Sequence, residues 1–197
     1  MTQGVKNKII EIARSNEINP FIKQIESYSY GLLLHHLSVA AISGSIWERL
    51  VATGEMELSM EYMDNVIRGA LIHDIGKTCI CPSILYKKEA LLQDEFELIK
   101  NHAVYGFDLI KSSFGEIEQN IVLLHHEKMD GTGYPRRTRD IPFYVKVVTV
   151  ADMYDALIST RIYKKPFSHA ETMDLLRKDA VDGKIELSIV NMLGRLK

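Results

Sequence analysis

Several histidines and aspartates in this sequence occupy positions that are unusual for polar groups. His73 and Asp74 end an apolar helical pattern. His125 and His126 follow four apolar residues, and Asp152 follows a β-branched stretch. Because burying an ionised carboxylate without a partner is costly, each acid needs a cation or several hydrogen-bond donors. Taken singly, each residue has an ordinary alternative, such as a hydrogen-bonded core histidine or an aspartate paired with a lysine or arginine.

His35 and His102 also fall on apolar faces of predicted helices. A satisfied core histidine is the simpler explanation of either residue alone. The whole set favours a different interpretation, since one polar site inside a helical bundle accounts for all five histidines and both aspartates. Imidazoles and carboxylates without cysteine favour iron, manganese or a similar ion over structural zinc. So many ligands are too many for one ion and suit two.

The elements that must position these residues are predicted to be helices, because apolar residues recur at helical spacing. The predicted helices cover residues 5–13, 21–52 as one or two helices with a candidate bend at 43–45, 59–74, 94–111, 117–126, 142–159, a segment after Ser168, and 187–196. On the helix over 94–111, Phe96 and Leu109 are assigned to the apolar face. Residues 75–86 and 128–140 are predicted to be mostly loop. Residues 144–150 favour a strand by propensity alone, but their continuation into 151–157 favours a helix.

Composition narrows the functional classes. The chain has 197 residues, 46% of them hydrophobic, which suits one globular domain. Its net charge is -2, so it lacks the basic excess typical of binding to polymeric nucleic acid. Cys79 and Cys81 are the two cysteines, which favours a reducing compartment over a disulfide scaffold. Without a signal-peptide pattern or a membrane-spanning apolar run, a soluble cytoplasmic protein is expected.

Five segments, in order along the chain, resemble the HD-GYP family of metal-dependent phosphohydrolases in the HD superfamily. Residues 73–77 resemble the HDxGK signature, and residues 125–135 resemble the longer and more specific HHExxDGxGYP signature. Residues 101–106 resemble the segment that carries an intervening histidine. Residues 151–157 resemble ADxYDAL, and residues 159–164 resemble SxRxYK. We call residues 128–140 the GYP loop.

The resemblance implies an all-α fold, a single HD-type helical bundle with a short N-terminal helical extension. Residues 1–30 are expected to form this extension and to pack on the core. Residues 31–197 are expected to form the HD-GYP-like phosphohydrolase domain. Cys79 and Cys81 fall at apolar positions of the family's loop, so we expect them to pack rather than to bind metal.

The resemblance also implies the metal ligands, with Asp74 bridging two divalent ions. The implied ligands are His35, His73, Asp74, His102, His125, His126 and Asp152. His35 is preferred to its neighbour His36 because Val39 follows at the family's offset, and His36 is the alternative. Where some members carry a glutamate for a third ion, this chain has Gly31, so two ions are expected. Iron or manganese is favoured, and nickel, cobalt, magnesium and zinc are the alternatives.

Lys77, Arg161 and Lys164 are the substrate-binding residues that the resemblance implies. Lys77 is also assigned to catalysis together with Asp74, because its ammonium can bind a phosphate oxygen or assist the leaving oxygen. Solvated surface charges are the alternative for all three cations. The sequence has no Ser-His-Asp arrangement and no complete GxxxxGK[ST] phosphate loop, since Leu71 stands five residues before Gly76 where that pattern requires glycine. The expected nucleophile is therefore a metal-activated water, not a protein side chain.

The implied activity is a phosphodiesterase reaction on cyclic di-GMP, a bacterial second messenger, giving linear pGpG and in some members GMP. One alternative is a phosphohydrolase for another nucleotide or cyclic dinucleotide. The other is a weakly active signalling module that docks its partners through the GYP loop. The expected partner is the small cyclic dinucleotide, without nucleic-acid polymer or membrane. A signalling protein at the GYP loop and a homodimer are left open.

Overall fold

The computed structural model describes residues 1–54, 59–159 and 165–196. Within these residues every regular element is a helix, which confirms the all-α prediction. The helices are α1 (Gln3–Arg14), α2 (Asn19–Tyr28), α3 (Tyr30–Thr53), α4 (Met63–Ile72), α5 (Pro82–Leu85), α6 (Gln93–Lys100), α7 (His102–Ile110), α8 (Glu116–Leu124), α9 (Phe143–Ile158), α10 (His169–Val181) and α11 (Leu187–Gly194). Short 3-10 helices at Met60–Tyr62 and Ile75–Cys79 precede and follow α4.

Four helices form the centre of the bundle. α3 packs against α4 and α9, and α8 also packs against α4 and α9. The buried residues of these four helices include Trp47, Ile67, Leu71, Ile121 and Val148. Fully burying an aliphatic or aromatic side chain stabilises a fold by about 1.5–3 kcal/mol. This apolar core holds the helix ends in place around the polar cluster described below.

The run Ser43-Gly44-Ser45 does not bend the chain, contrary to the prediction. α3 continues unbroken through it. A Cβ atom on Gly44 would lie 3.0 Å from Val5 Cγ1 and 3.3 Å from Ile67 Cδ1. The small residues therefore serve a close approach of α1 and α4 to α3. The break falls instead at Ser29, whose hydroxyl accepts a hydrogen bond from Leu32 N and caps α3.

The predicted single helix over residues 94–111 is two helices. The chain tightens at Asn101, whose N–H donates to Leu98 O at 3.2 Å, and α7 begins with the next residue. This break in the helix coincides with the burial of His102. It leaves Phe96 and Leu109 exposed, so their assignment to a buried apolar face is wrong. Helical spacing indicates which residues share a face, but not where one helix ends and the next begins.

Residues 75–86 hold more structure than the predicted loop. They form the 3-10 helix Ile75–Cys79 and then α5, in which Pro82 occupies the first helical turn. Cys79 and Cys81 are exposed, so the prediction that they pack is wrong. Ile80, between them, is the buried residue, and its carbonyl accepts a hydrogen bond from the Tyr28 hydroxyl at 2.8 Å.

The β-branched stretch over residues 144–150 is helical, within α9. Val145, Val147, Val148 and Val150 are inaccessible. Burial on more than one face explains the dense β-branched composition without a strand, since packing overrides intrinsic propensity.

The N-terminal helices pack on the bundle. α1 lies against α3 and α4, and α2 lies against α3 and the 3-10 helix Ile75–Cys79. The division into residues 1–30 and 31–197 stays a prediction. Across the described parts of the chain, no helix combines the length and apolarity that a bilayer crossing requires.

Candidate metal centre

The end of α4 carries the first two site residues. α4 ends at Ile72, and His73 and Asp74 follow where the chain enters the 3-10 helix Ile75–Cys79. Both residues are buried, with 0% and 1% of their surface exposed. A buried carboxylate is tolerated only beside donors or cations, so its neighbours define the site.

Asp74 lies at the centre of the cluster, and its two oxygens face different imidazoles. Oδ1 is 3.0 Å from His102 Nε2 and 3.5 Å from His125 Nε2. Oδ2 is 3.5 Å from His73 Nε2 and 3.7 Å from His35 Nε2. Burial alone would raise the pKa of Asp74, but Lys77 and the nearby imidazoles hold the pKa well below its usual value. An ionised carboxylate with separate partners on each oxygen is suited to bridge two cations.

The ligand atoms divide into two groups on the two sides of this carboxylate. We call Asp74, His102, His125 and His126 the Asp74 group, and His35, His73 and Asp152 the Asp152 group. Within each group the candidate ligand atoms lie within 4.8 Å of one another. The structure thus brings together all seven residues that the resemblance implies. They come from α3, the ends of α4 and α8, the start of α7, and the middle of α9.

Backbone carbonyls orient three of the imidazoles. His73 Nδ1 lies 2.8 Å from Ala70 O, and His102 Nδ1 lies 2.6 Å from Ile99 O. His125 Nδ1 lies 3.0 Å from Val122 O. A protonated Nδ1 bonded in this way leaves Nε2 unprotonated and turned towards the cluster, as metal ligation requires.

His36 does not join either ligand group. Its Nδ1 lies 2.8 Å from Leu71 O, and its ring packs 4.7 Å from the ring of His73. Burial, followed by the charge of His73, lowers the pKa of His36 well below its usual value. His36 is therefore a neutral imidazole behind His73, and His35 is the member of the pair that reaches the cluster.

A third carboxylate, Asp155, supports His35 and was not singled out from the sequence. Its Oδ2 lies 2.6 Å from His35 Nδ1, and its Oδ1 accepts from the Ser38 hydroxyl. His35 Nε2 lies 3.1 Å from Asp152 Oδ1. Burial lowers the pKa of His35, but the bonds to Asp152 and Asp155 outweigh it and raise the pKa to about 9. The three-residue spacing of the two acids on α9 is the signal that could have revealed Asp155.

Lys77 lies beside the cluster, and its ammonium donates to Asp74 Oδ2. Its side chain is 20% exposed, so it stands between the buried acid and solvent. This position agrees with a cation that faces the substrate. Arg161 and Lys164, the other predicted substrate-binding residues, lie outside the described residues.

The GYP loop is fixed to the end of α8 by Glu127, a buried residue whose role the sequence did not reveal. Glu127 Oε1 accepts from the backbone N–H groups of Arg136 and Arg137 at 2.6 and 3.0 Å. A Cβ atom on Gly133 would lie 2.4 Å from Glu127 Cα, so only glycine permits this approach. The loop thereby brings the Tyr134 ring onto His126, with ring centroids 4.7 Å apart and planes at 26°.

Another close approach joins two elements of the Asp74 group. A Cβ atom on Gly76 would lie 1.9 Å from His102 O and 2.4 Å from Gly106 N. The backbone that follows Asp74 therefore touches the start of α7 directly. The two elements meet where Asp74 Oδ1 and His102 Nε2 lie 3.0 Å apart.

The donor set suits divalent cations. His102 Nε2 and His125 Nε2 face each other at 3.4 Å, and both also approach Asp74 Oδ1. Among the described residues, the buried His73 Nε2 has no hydrogen-bond partner. Converging imidazole nitrogens with an unpaired buried member are expected where a cation supplies the missing partner. Nitrogen and carboxylate ligands suit iron, manganese and similar ions, and the described cluster contains no thiolate.

An all-helical bundle with such a centre defines a class, the metal-dependent hydrolases of the HD fold. The sequence matches the HD domain family over residues 33–188, and the chain belongs to that family.

Two relatives support the resemblance to the HD-GYP family. The chain is 40% identical over 137 residues to a cyclic di-GMP phosphodiesterase of Thermotoga maritima, covering 67% of this chain and 36% of the relative. It is 35% identical over 155 residues to a probable cyclic di-GMP phosphodiesterase of Vibrio cholerae, covering 72% of this chain and 34% of the relative. The chain thus spans about a third of the length of these relatives.

A solved structure supports the fold. The HD domain of the L. monocytogenes phosphodiesterase PgpH, solved in complex with cyclic-di-AMP, superposes with a TM-score of 0.65 at 17% identity. The superposition covers 88% of this chain and 91% of that domain.

Proposed function

We propose that this chain is a phosphodiesterase that hydrolyses cyclic di-GMP to linear pGpG, with GMP as the product of a second hydrolysis. One observation carries the proposal: the oxygens of a single buried carboxylate, Asp74, face two different sets of imidazoles. The cyclic di-GMP phosphodiesterases similar to this chain support the choice of substrate.

The Asp74 and Asp152 groups are the proposed ligands of two divalent ions, iron or manganese first. Such ions, when bound, lower the pKa of water and neutralise charge on phosphoryl oxygens. The protein's own contribution is to fix the ligands. Backbone carbonyls and Asp155 hold four of the imidazoles with Nε2 turned inward. This preorganisation avoids reorganising the site as charge develops in the reaction.

Two residues at the edge of the cluster are proposed to act on the substrate. The Lys77 ammonium can bind a phosphate oxygen or donate a proton to the leaving oxygen. Burial, followed by the charges of Asp74 and Asp152, raises the pKa of Tyr134 well above its usual value. Its hydroxyl therefore stays protonated and can donate a hydrogen bond to a phosphate oxygen. Arg161 and Lys164 complete the proposed phosphate-binding set.

The direct test is turnover by purified protein loaded separately with Fe(II), without oxygen, or with Mn(II). Chromatography of the reaction with cyclic di-GMP is expected to show linear pGpG first and GMP later. Parallel reactions with cyclic di-AMP and 3'3'-cGAMP test the choice of substrate. Turnover of these alone would favour the alternative of another cyclic dinucleotide. Tight binding without turnover, in protein that retains its metal, would favour a signalling module.

A signalling-protein partner at the GYP loop, a homodimer and a cytoplasmic location stay predictions. The loop is the natural place for such a partner, because Arg136, Arg137 and Arg139 are exposed along it.

A further inference from the structure

An exposed aromatic side chain stands beside the GYP loop. Phe96, in the middle of α6, is 45% exposed although its spacing assigned it to a buried face. The Lys100 ammonium, one turn further along α6, lies 4.7 Å from the centre of the Phe96 ring. With 45% of its surface exposed, this ring presents an apolar aromatic face that a planar ligand can contact.

This pair is connected to the metal centre by a short series of ring contacts. The Lys100 ammonium also lies 5.8 Å from the centre of the Tyr134 ring. Tyr134 in turn stacks on His126, with centroids 4.7 Å apart, and His126 belongs to the Asp74 group. A continuous surface of aromatic faces and one cation therefore runs from the candidate ligands outward to Phe96.

The chemistry of a cyclic dinucleotide matches this surface. Such a molecule carries two nucleobases and two phosphodiesters in one ring. When one phosphodiester lies at the metal centre, the bases and the second phosphodiester must extend outward. An exposed aromatic face binds a nucleobase by stacking, and a neighbouring ammonium adds attraction to base and phosphate. Lys100 is also paired with Glu97 at 2.8 Å, which holds its ammonium near both rings.

Resting on the proposed function, we propose that Phe96 and Lys100 form a nucleobase-binding subsite, in which one base of the cyclic dinucleotide stacks on the Phe96 ring. The subsite determines affinity for the substrate and takes no part in the chemical step. A base on Phe96 is held at the outer end of the surface that leads to His126. A phosphodiester without a nucleobase gains no affinity from this subsite.

The first test compares Phe96→Leu with Phe96→Tyr in the metal-loaded protein. Loss of one stacking contact in Phe96→Leu is expected to raise KM for the cyclic dinucleotide roughly tenfold, with kcat within about twofold. Phe96→Tyr keeps an aromatic face and is expected to retain the wild-type KM. Leu187→Ala, at an equally exposed leucine on α11, is the matched control. Hydrolysis of methyl 4-nitrophenyl phosphate, which has no nucleobase, is expected to stay unchanged in every variant.

The second test detects stacking itself. A cyclic dinucleotide with one 2-aminopurine base is mixed rapidly with the protein, and its fluorescence is followed before turnover. Stacking quenches 2-aminopurine, so the wild type and Phe96→Tyr are expected to quench the signal, and Phe96→Leu to quench it less. Equal quenching and equal KM in Phe96→Leu, with normal wild-type turnover, would overturn the subsite and leave the proposed function standing. A metal-loaded wild type that hydrolyses no cyclic dinucleotide would overturn both.

Discussion

The Asp74 group and the Asp152 group differ in what holds their imidazoles. In the Asp74 group, His102 and His125 are oriented by backbone carbonyls, and both are buried. In the Asp152 group, His73 is also buried and oriented by a backbone carbonyl, but His35 is oriented by the carboxylate of Asp155 and is 13% exposed at its side chain. The first side of the centre thus has three imidazoles and the second has two, and the second has more carboxylates and more contact with solvent. We expect the two sides to bind their cations with unequal affinity.

Removing the Asp74 carboxylate should abolish the difference in cation affinity between the two groups, because both groups depend on it. Asp74→Asn is expected to lose both metal equivalents and to lower turnover by about a thousandfold or more. Elemental analysis of the purified protein and the chromatographic assay measure these effects. Asp174→Asn, at an exposed aspartate on α10, should match the wild type. Retention of both metals by Asp74→Asn would show that this residue does not join the two groups.

Removing Asp152, the acid of the Asp152 group, should show whether the two groups bind their cations independently. Asp152→Asn is expected to lose the metal held by His35, His73 and Asp152 while the other side keeps its ion, because the Asp74 group remains complete. The measurement is metal content, together with a titration of metal back into the chelated protein. If both ions leave together, the two groups are not independent and the comparison fails.

A substitution at Gly76, which contacts the start of α7, tests the side of the centre formed by the Asp74 group. Gly76→Ala places a Cβ atom 1.9 Å from His102 O, where only backbone can move. The resulting strain is expected to lower the free energy of unfolding by about 3 kcal/mol and to weaken binding at the Asp74 group. Thermal unfolding and metal titration measure the two effects. Gly31→Ala is the control, since its Cβ would approach only Ser29 Oγ, at 3.7 Å.

The smallest effect is expected from the residues behind His35. Asp155→Asn is expected to lower metal affinity at the Asp152 group by about 10- to 100-fold, because the bond that orients His35 loses its charge. Ser38→Ala, which removes only a donor to Asp155, is expected to have a smaller effect. Competition with a metallochromic chelator measures both. An equal loss at the Asp74 group would contradict the separation of the two sides.

The chemistry of the site could be predicted from the sequence, because its signal lies in residue types at fixed spacing. His73-Asp74 and His125-His126 stand at helix ends after apolar residues, and tertiary packing then brings these ends together. The choice between His35 and His36 was different. Adjacent helical residues point about 100° apart, so apolar spacing alone could not say which one turns inward. The family's offset made the choice, and the structure places His35 in the cluster.

Features that depend on how elements meet could not be predicted. The close approach of Gly76 to His102 at the start of α7 joins residues far apart in the sequence, and no local pattern encodes it. The exposure of Phe96 and of Cys81 follows from where α6 and the start of α5 lie, not from the hydrophobicity of the residues. The spacing of Asp155 from Asp152 marks it as a residue on the same helical face, but its contact with His35, 120 residues earlier in the chain, depends on tertiary packing.

The candidate ligands come from five separate helical regions, and this has a consequence for folding as well as for chemistry. Cations bound as proposed would act as cross-links between segments that are far apart in sequence. Each cross-link closes long loops that the unfolded chain cannot keep closed, so the ions would favour the native state by mass action. A chelator would then loosen the bundle itself, and the supply of metal would govern how long the folded protein survives.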